Sequence, residues 1–155
     1  MKRKWLITGS EKVGKTTLAN FIEKEDYPLK KTLDLRYRAN TIEVPSEFIA
    51  MPYLNSAVIM IGQNQSLANL FLIDLEKTIH FPPNYACSFT RKSICIIMKT
   101  DLYSKEQLSL LWQKAKAINA DDIIGISFKT GVGLEQLEKR IKEIEESQDA
   151  FYNRR

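Results

Sequence analysis

The most informative stretch of this chain is an apolar run that passes directly into a loop with two glycines and two lysines, Trp5-Leu6-Ile7-Thr8-Gly9-Ser10-Glu11-Lys12-Val13-Gly14-Lys15-Thr16. The loop fits the pattern G-x-x-x-x-G-K-[ST], and the residues after it, 17–22, are compatible with a helix. A loop of this kind directs successive backbone N–H groups and a helix N-terminus toward one anion. The sequence therefore predicts a strand, a phosphate-binding loop and a helix, in that order.

Each residue type in this loop has a chemical role. Gly9 and Gly14 permit the tight curl of the backbone. Lys15 is placed to reach the terminal phosphates, where it is a candidate catalytic residue, and the Thr16 hydroxyl is suited to hold Mg²⁺. The predicted phosphate contacts are Gly9, Lys12, Val13, Gly14, Lys15, Thr16 and Thr17. The alternative is an ordinary glycine-containing turn, but a chance match in a chain of this length has a probability of roughly 1% or less.

Length and composition predict one globular domain over residues 1–155. Hydrophobic residues make up 44% of the chain and charged residues 27%, which is ordinary for a globular protein. The net charge of +4 is mild and its lysines and arginines are interleaved with acids, so we expect no nucleic-acid partner. We also expect a cytoplasmic protein without a membrane anchor, because no long apolar stretch, signal-peptide pattern or lipidation motif is found.

Apolar runs alternate with helical patterns along the chain, which predicts an α/β fold with a mostly parallel sheet covered by helices on both faces. Predicted strands lie at 5–8, 33–39, 40–44, 67–74, 93–98 and 122–127. Predicted helices lie at 15–25, 52–63, 104–117 and 134–147. The segment 33–39 is expected at a sheet edge because three of its seven residues are charged.

Two polar segments follow predicted strands, where open α/β sheets bind their ligands. The first is Lys99-Thr100-Asp101, whose carboxylate can accept two hydrogen bonds from guanine while the lysine stem lies along the base. The second is a tight loop whose backbone N–H groups are suited to the guanine carbonyl, and its candidate residues are Ser127, Phe128 and Lys129. Taken alone, each segment is also compatible with a solvated turn.

Across nearly its whole length the sequence resembles the ethanolamine- and propanediol-utilisation proteins EutP and PduV, a family of small Ras-like P-loop proteins encoded with bacterial microcompartments. The segments that carry the resemblance are Lys15–Thr17, Lys30–Thr32, Asn40–Phe48, Phe81–Ala86, Lys99–Asp101 and Ser127–Gly133. The resemblance implies a three-layer, Ras-like P-loop NTPase fold with a six-stranded sheet. It also implies a role in ethanolamine or propanediol breakdown, with microcompartment or pathway proteins as partners.

The resemblance assigns further residues to the metal and to catalysis. In the family pattern an Asp, two residues, a Gly and a Glu follow one another, and here the corresponding positions are Glu43, Ser46 and Glu47. Glu43 is therefore a candidate magnesium ligand, and Glu47 a candidate for acting on water. The longer acid and the missing glycine lengthen one ligand and restrict one backbone turn, so we expect slow hydrolysis.

Three other positions complete this set. Thr32 matches the family pattern and is a candidate ligand that caps Mg²⁺ from a mobile segment. Asp74, at a strand end, is an alternative acidic partner of the metal, ranked below Glu43. Met98 stands where the base-reading motif usually has Asn, which removes a bracing side chain and weakens guanine preference although Asp101 is retained.

The leading hypothesis is a P-loop protein that binds a magnesium nucleoside triphosphate, with GTP favoured and ATP possible, and hydrolyses it slowly. A second hypothesis is a non-catalytic nucleotide-binding scaffold or assembly factor. A third is an ATP-dependent phosphotransferase acting on a small metabolite, because phosphate-binding loops also serve kinases. The sequence leaves these alternatives open, with a weak NTPase or phosphotransferase activity favoured over none.

Overall fold

The computed structural model describes residues 2–30, 33–75 and 81–153. Its centre is a six-stranded sheet in the order β2-β3-β1-β4-β5-β6. The strands are β1 (Lys4–Gly9), β2 (Arg36–Tyr37), β3 (Thr41–Glu43), β4 (Ser66–Ile73), β5 (Ser93–Ile97) and β6 (Asp122–Gly125). Every pair of neighbours is parallel except β2 and β3, which are antiparallel.

In the described part of the chain, five α-helices accompany the sheet: α1 (Lys15–Glu23), α2 (Glu47–Ala50), α3 (Pro52–Asn64), α4 (Lys105–Ile118) and α5 (Leu134–Asn153). Two short 3₁₀ helices lie at Tyr85–Ser88 and Thr100–Leu102. One hydrophobic cluster joins the sheet to α1 and α5, and a second joins it to α2, α3 and α4. The predicted three-layer α/β fold, with a mostly parallel six-stranded sheet and helices on both faces, is confirmed.

The central strands are buried on both faces, which explains their continuous apolar runs. All residues of β5 and seven of the eight residues of β4 are buried. The five strands β1, β3, β4, β5 and β6 run in parallel, so their carboxyl ends lie at the same end of the sheet. The loops at that end contain the predicted phosphate-binding and base-reading segments.

Several element boundaries differ from those predicted. Helix α1 ends at Glu23 rather than 25 because Lys24 adopts a left-handed conformation with φ 57°. Helix α5 continues to Asn153 rather than ending at 147. Helix α2 was not predicted. The strand expected over 33–39 is reduced to the two residues of β2, although it does lie at the sheet edge.

Ser104, the first residue of the predicted segment 104–117, caps helix α4. The Ser104 hydroxyl accepts the backbone N–H of Gln107, and the Gln107 side chain accepts the backbone N–H of Ser104. This capping box satisfies two donors that a helix N-terminus otherwise leaves unpaired. Within the described ranges, no helix combines the length and the apolar character needed to cross a bilayer.

Candidate functional site

The loop between β1 and α1 requires glycine at both glycine positions of its G-x-x-x-x-G-K-[ST] pattern. Gly14 has φ 113°, and a Cβ there would come within 2.8 Å of the Met98 methyl carbon. A Cβ on Gly9 would come within 2.9 Å of both the Leu72 carbonyl oxygen and a Val13 methyl group. Larger residues would therefore push the loop away from the sheet, and its backbone curl depends on these two glycines.

The Lys15 side chain curls back over the loop. Its ammonium donates hydrogen bonds to the backbone carbonyls of Gly9, at 3.0 Å, and Ser10, at 2.9 Å. Burial lowers the pKa of Lys15 to about 8, and nearby carboxylates partly oppose that shift, those of Glu43, Glu47 and Glu11. A cation held in this way is poorly solvated by water and well placed to receive an anion.

Beside Lys15, the side chains of Thr16 and Glu43 meet. The Thr16 hydroxyl donates a 2.6 Å hydrogen bond to Glu43 Oε1, across from the N-terminus of α1 to the end of β3. The second carboxylate oxygen, Oε2, is buried and makes no hydrogen bond, and its nearest charged partner is the Arg36 guanidinium at 3.6 Å. A hydroxyl and an under-satisfied carboxylate oxygen fit Mg²⁺, which takes few protein ligands alongside phosphate oxygens.

A cavity of about 520 Å³ opens over these groups. It brings together most of the phosphate and metal candidates with the catalytic candidate Glu47 and the base-reading candidate Lys99; the phosphate and metal candidates in its lining are Lys12, Gly14, Lys15, Thr16, Thr17 and Glu43. Residues that the sequence did not single out as site residues complete the lining, namely Glu11, Leu29, Lys30, Val44, Pro45 and Ser46. The cavity is large enough for a small-molecule ligand.

The segment after β3 turns into the short helix α2. Ser46, at the position where the family pattern has glycine, adopts an ordinary right-handed conformation with φ −58°. Its hydroxyl donates to Glu47 Oε2 at 3.3 Å, although Glu47 still lines the cavity. The carboxylate of Glu47 is thus held partly by its own neighbour.

The base-reading candidates are linked to each other and to the loop. The Lys99 ammonium donates to the Lys12 carbonyl at 2.8 Å, so the K-x-D segment is tied to the phosphate-binding loop. The Ser127 hydroxyl donates to Asp101 Oδ1 at 2.7 Å and itself accepts the backbone N–H of Thr130 at 3.1 Å. These bonds orient the Asp101 carboxylate through one of its two oxygens.

Met98 and Phe128 support this region by packing. Met98 is buried beneath the loop, where its methyl group contacts the bare face of Gly14. At the sequence position where the usual motif has Asn, the chain therefore makes an apolar contact with the loop. Phe128 packs edge-to-face on Phe21 of α1, with 5.6 Å between the ring centroids. Lys129 is exposed at the tip of its loop.

Some predicted site residues lie elsewhere. Gly9 and Val13 are buried behind the loop, and Asp101, Ser127, Phe128 and Lys129 lie outside the 520 Å³ cavity. Asp74 is buried with its carboxylate 3.8 Å from the Lys99 ammonium. Thr32 lies outside the described residues, so its predicted metal contact stays a prediction.

Sequence reasoning missed Arg36, which borders Glu43 on the edge strand. The pairing of Arg36 with Glu43 becomes apparent only when β2 and β3 are aligned, because the two residues are then directly opposite each other. The antiparallel register places both side chains on one face of the sheet. A two-residue strand gives too little pattern for that register to be read from the sequence.

Comparisons with solved structures agree with this architecture. A bacterial selenocysteine-specific elongation factor, EF-Sec, is similar with a TM-score of 0.63 and 23% identity over 95% of this chain, which spans 29% of the elongation factor. A probable GTP-binding protein, engB, is similar with a TM-score of 0.58 and 17% identity, over 91% of this chain and 97% of that protein. The FeoB G-domain from Methanococcus jannaschii is similar with a TM-score of 0.55 and 15% identity, over 93% of this chain and 98% of that domain. At these identities the likeness concerns the fold.

Sequence comparisons identify the family. The propanediol utilization protein PduV of Citrobacter freundii is 26% identical over 137 residues, which are 88% of this chain and 91% of that protein. A family model described as ethanolamine utilisation - propanediol utilisation matches residues 1–143. The loop, the fold and the family together make this a P-loop protein of the nucleotide-binding class. The chain belongs to the PduV-EutP family of ethanolamine- and propanediol-utilisation proteins.

Proposed function

We propose that the chain binds a magnesium nucleoside triphosphate in the cavity above the loop, prefers GTP to ATP, and hydrolyses it slowly in support of ethanolamine or propanediol utilisation. One observation carries the proposal. A half-buried ammonium, a helix N-terminus and the hydroxyl–carboxylate pair of Thr16 and Glu43 converge on one side of a single cavity. That set matches a triphosphate tail with its cation.

In the proposed complex, different residues would bind the phosphate groups and the metal ion. Lys15 and the backbone N–H groups at the start of α1 are suited to the phosphate oxygens. Thr16 and Glu43 would hold Mg²⁺, which would supply positive charge to the phosphate groups. The buried, poorly hydrated setting of Lys15 strengthens its attraction for an anion relative to a lysine in water.

GTP preference is supported by the orientation of Asp101. Asp101 lies in the segment directly after β5, where the Ser127 hydroxyl donates to its carboxylate. Lys99 is tied to the phosphate-binding loop by its hydrogen bond to the Lys12 carbonyl. An oriented carboxylate pairs with the ring N–H and amino group of guanine, and adenine does not present that pair. Since the bracing Asn is replaced by Met98, the preference rests on Asp101 and on the Phe128 loop.

A second candidate function, a nucleotide-binding scaffold or assembly factor without turnover, is favoured by the segment after β3. Ser46 restricts the backbone where the family pattern has glycine, and the carboxylate of Glu47 is bonded to Ser46. Both features reduce the freedom with which a water-orienting group could be set beside a phosphate. Nucleotide binding would then act through the interaction of this chain with partner proteins of the same pathway.

The test is a set of calorimetric titrations of the purified chain with GTP, ATP and GDP, each with Mg²⁺ and with EDTA. Turnover is then measured on whichever nucleotide binds. The proposal predicts one site, tighter binding of GTP than ATP, a gain in affinity with Mg²⁺, and phosphate release that is slow but above the buffer blank. Tight retention with no release supports the scaffold. Product formation that requires a small acceptor supports a phosphotransferase, and no binding of any nucleotide contradicts all three.

A further inference from the structure

The edge strand brings a positive charge to the candidate metal ligand. Arg36 of β2 and Glu43 of β3 are directly opposite partners in the antiparallel ladder, so their side chains lie on the same face of the sheet. The guanidinium and the carboxylate lie 3.6 Å apart, with side-chain exposures of 22% and 6%. The pair is therefore fixed by strand register and largely shielded from water.

The Glu43 carboxylate is shared between two partners. Oε1 accepts the Thr16 hydroxyl at 2.6 Å, while Oε2 faces Arg36 at a distance longer than a hydrogen bond. Arg36 is itself anchored, because a second guanidinium nitrogen donates to the Lys30 carbonyl at 3.0 Å. A single side chain thus joins Glu43 to the edge strand and to the segment after α1, whose Leu29 and Lys30 line the cavity.

We propose that Arg36 is a built-in counter-ion of Glu43 that competes with the divalent cation for this carboxylate. Cation binding then weakens the Arg36–Glu43 contact. Because Arg36 also bonds to the Lys30 carbonyl, both β2 and the segment after α1 that contains Lys30 become less ordered. The inference rests on the proposed function, since it concerns the same cation site, and it adds a regulatory link between that site and the sheet edge.

Electrostatics gives the direction of the effect. The guanidinium already neutralises much of the Glu43 charge, so a second cation nearby gains less from the carboxylate and is repelled by Arg36. Removing the guanidinium should tighten cation binding about fivefold, the lower end of typical coupling between two sites. Linkage is reciprocal, so the cation must weaken the hold of Arg36 by the same factor.

The experiment measures Mn²⁺ affinity by the loss of the free-ion electron paramagnetic resonance signal. The chain is bound to a non-hydrolysable GTP analogue, with protein in excess over nucleotide. Arg36→Ala and Arg36→Gln are compared with the parent, and Arg36→Lys tests rescue by a like charge. Lys139→Ala, on the exposed face of α5, is the control for loss of one positive charge far from the site. Hydrogen exchange over residues 33–40 is followed with and without Mn²⁺.

The proposal expects about fivefold tighter Mn²⁺ binding in Arg36→Ala and Arg36→Gln, with Arg36→Lys closer to the parent and Lys139→Ala unchanged. Exchange over 33–40 should rise when Mn²⁺ binds the parent and be high already in Arg36→Ala. If the parent binds the analogue but the Arg36 variants bind Mn²⁺ equally or less tightly, the counter-ion role is overturned while the proposed function stands. If the parent does not bind the analogue in EDTA or with Mn²⁺, the proposed function fails with it.

Discussion

The phosphate half and the base half of the candidate site are built differently. In the phosphate half, Lys15 and Thr16 at the start of α1 and Glu43 at the end of β3 face one cavity. In the base half, Asp101 and Ser127 are bonded to each other and lie outside that cavity. The first half addresses a tail that all nucleoside triphosphates share, whereas the second addresses one base. Affinity and selectivity should therefore respond to different substitutions.

The largest effect is expected for Lys15→Ala. Removal of a poorly solvated ammonium takes away charge-assisted bonds to the phosphates, so affinity for Mg-GTP and Mg-ATP should fall together by about 100-fold. Calorimetric titration measures both, with Lys139→Ala as the control and a thermal melt to verify folding. Affinities equal to those of the parent would show that the loop is not the binding site.

Asp101→Asn should separate the two halves. The amide replaces one acceptor by a donor that opposes the guanine amino group, so GTP affinity should drop by about 30-fold. Affinity for ATP and for inorganic tripolyphosphate should stay within about twofold of the parent, since the phosphate half is untouched. An equal loss for GTP and ATP in competition assays would instead assign Asp101 a role in loop structure.

The pH dependence follows from Lys15. Burial lowers its pKa to about 8, so the ammonium is largely charged at pH 7 and largely neutral at pH 9. Only the charged form attracts phosphate, and nucleotide affinity should therefore fall about tenfold between pH 7 and pH 9. Lys15→Met should bind weakly and show a much smaller pH dependence over that range, and its profile serves as the reference for ionisation of the base. A parent profile as flat as that of the variant would contradict the lowered pKa.

The smallest effect is expected for Ser127→Ala. The hydroxyl orients Asp101 without facing the cavity, so its loss should weaken GTP binding by about threefold and leave ATP binding unchanged. Fluorescent-nucleotide displacement is sensitive enough to resolve that difference. If Ser127→Ala weakens GTP binding as much as Asp101→Asn does, the carboxylate has no independent role.

The contrast also explains how far the sequence could be read. The phosphate half follows from a contiguous motif, because Gly9, Gly14, Lys15 and Thr16 lie within eight residues and local backbone geometry places them. The alternation of apolar runs and helical patterns likewise predicted a mostly parallel sheet with helices on both faces, and the family resemblance implied its six strands. In both cases neighbouring residues determine the arrangement.

What the sequence did not provide depends on tertiary register and packing. The partnership of Arg36 with Glu43 requires the alignment of two very short strands, and helix α2 is a single turn whose four residues carry no periodic pattern. The packing of Met98 on Gly14 links residues more than eighty positions apart in the chain. Such contacts are set by the closed fold, so a pattern along the chain does not reveal them.

The central claim is that the backbone N–H groups around Lys15 cradle the phosphate tail of a nucleotide. The most direct test is a ¹⁵N–¹H correlation spectrum of the labelled chain, titrated with Mg-GTP. The account predicts that the largest amide shifts fall on residues 12–17, with smaller shifts at Asp101 and Phe128. Saturable shifts confined to other parts of the molecule, with residues 12–17 unmoved, would contradict it.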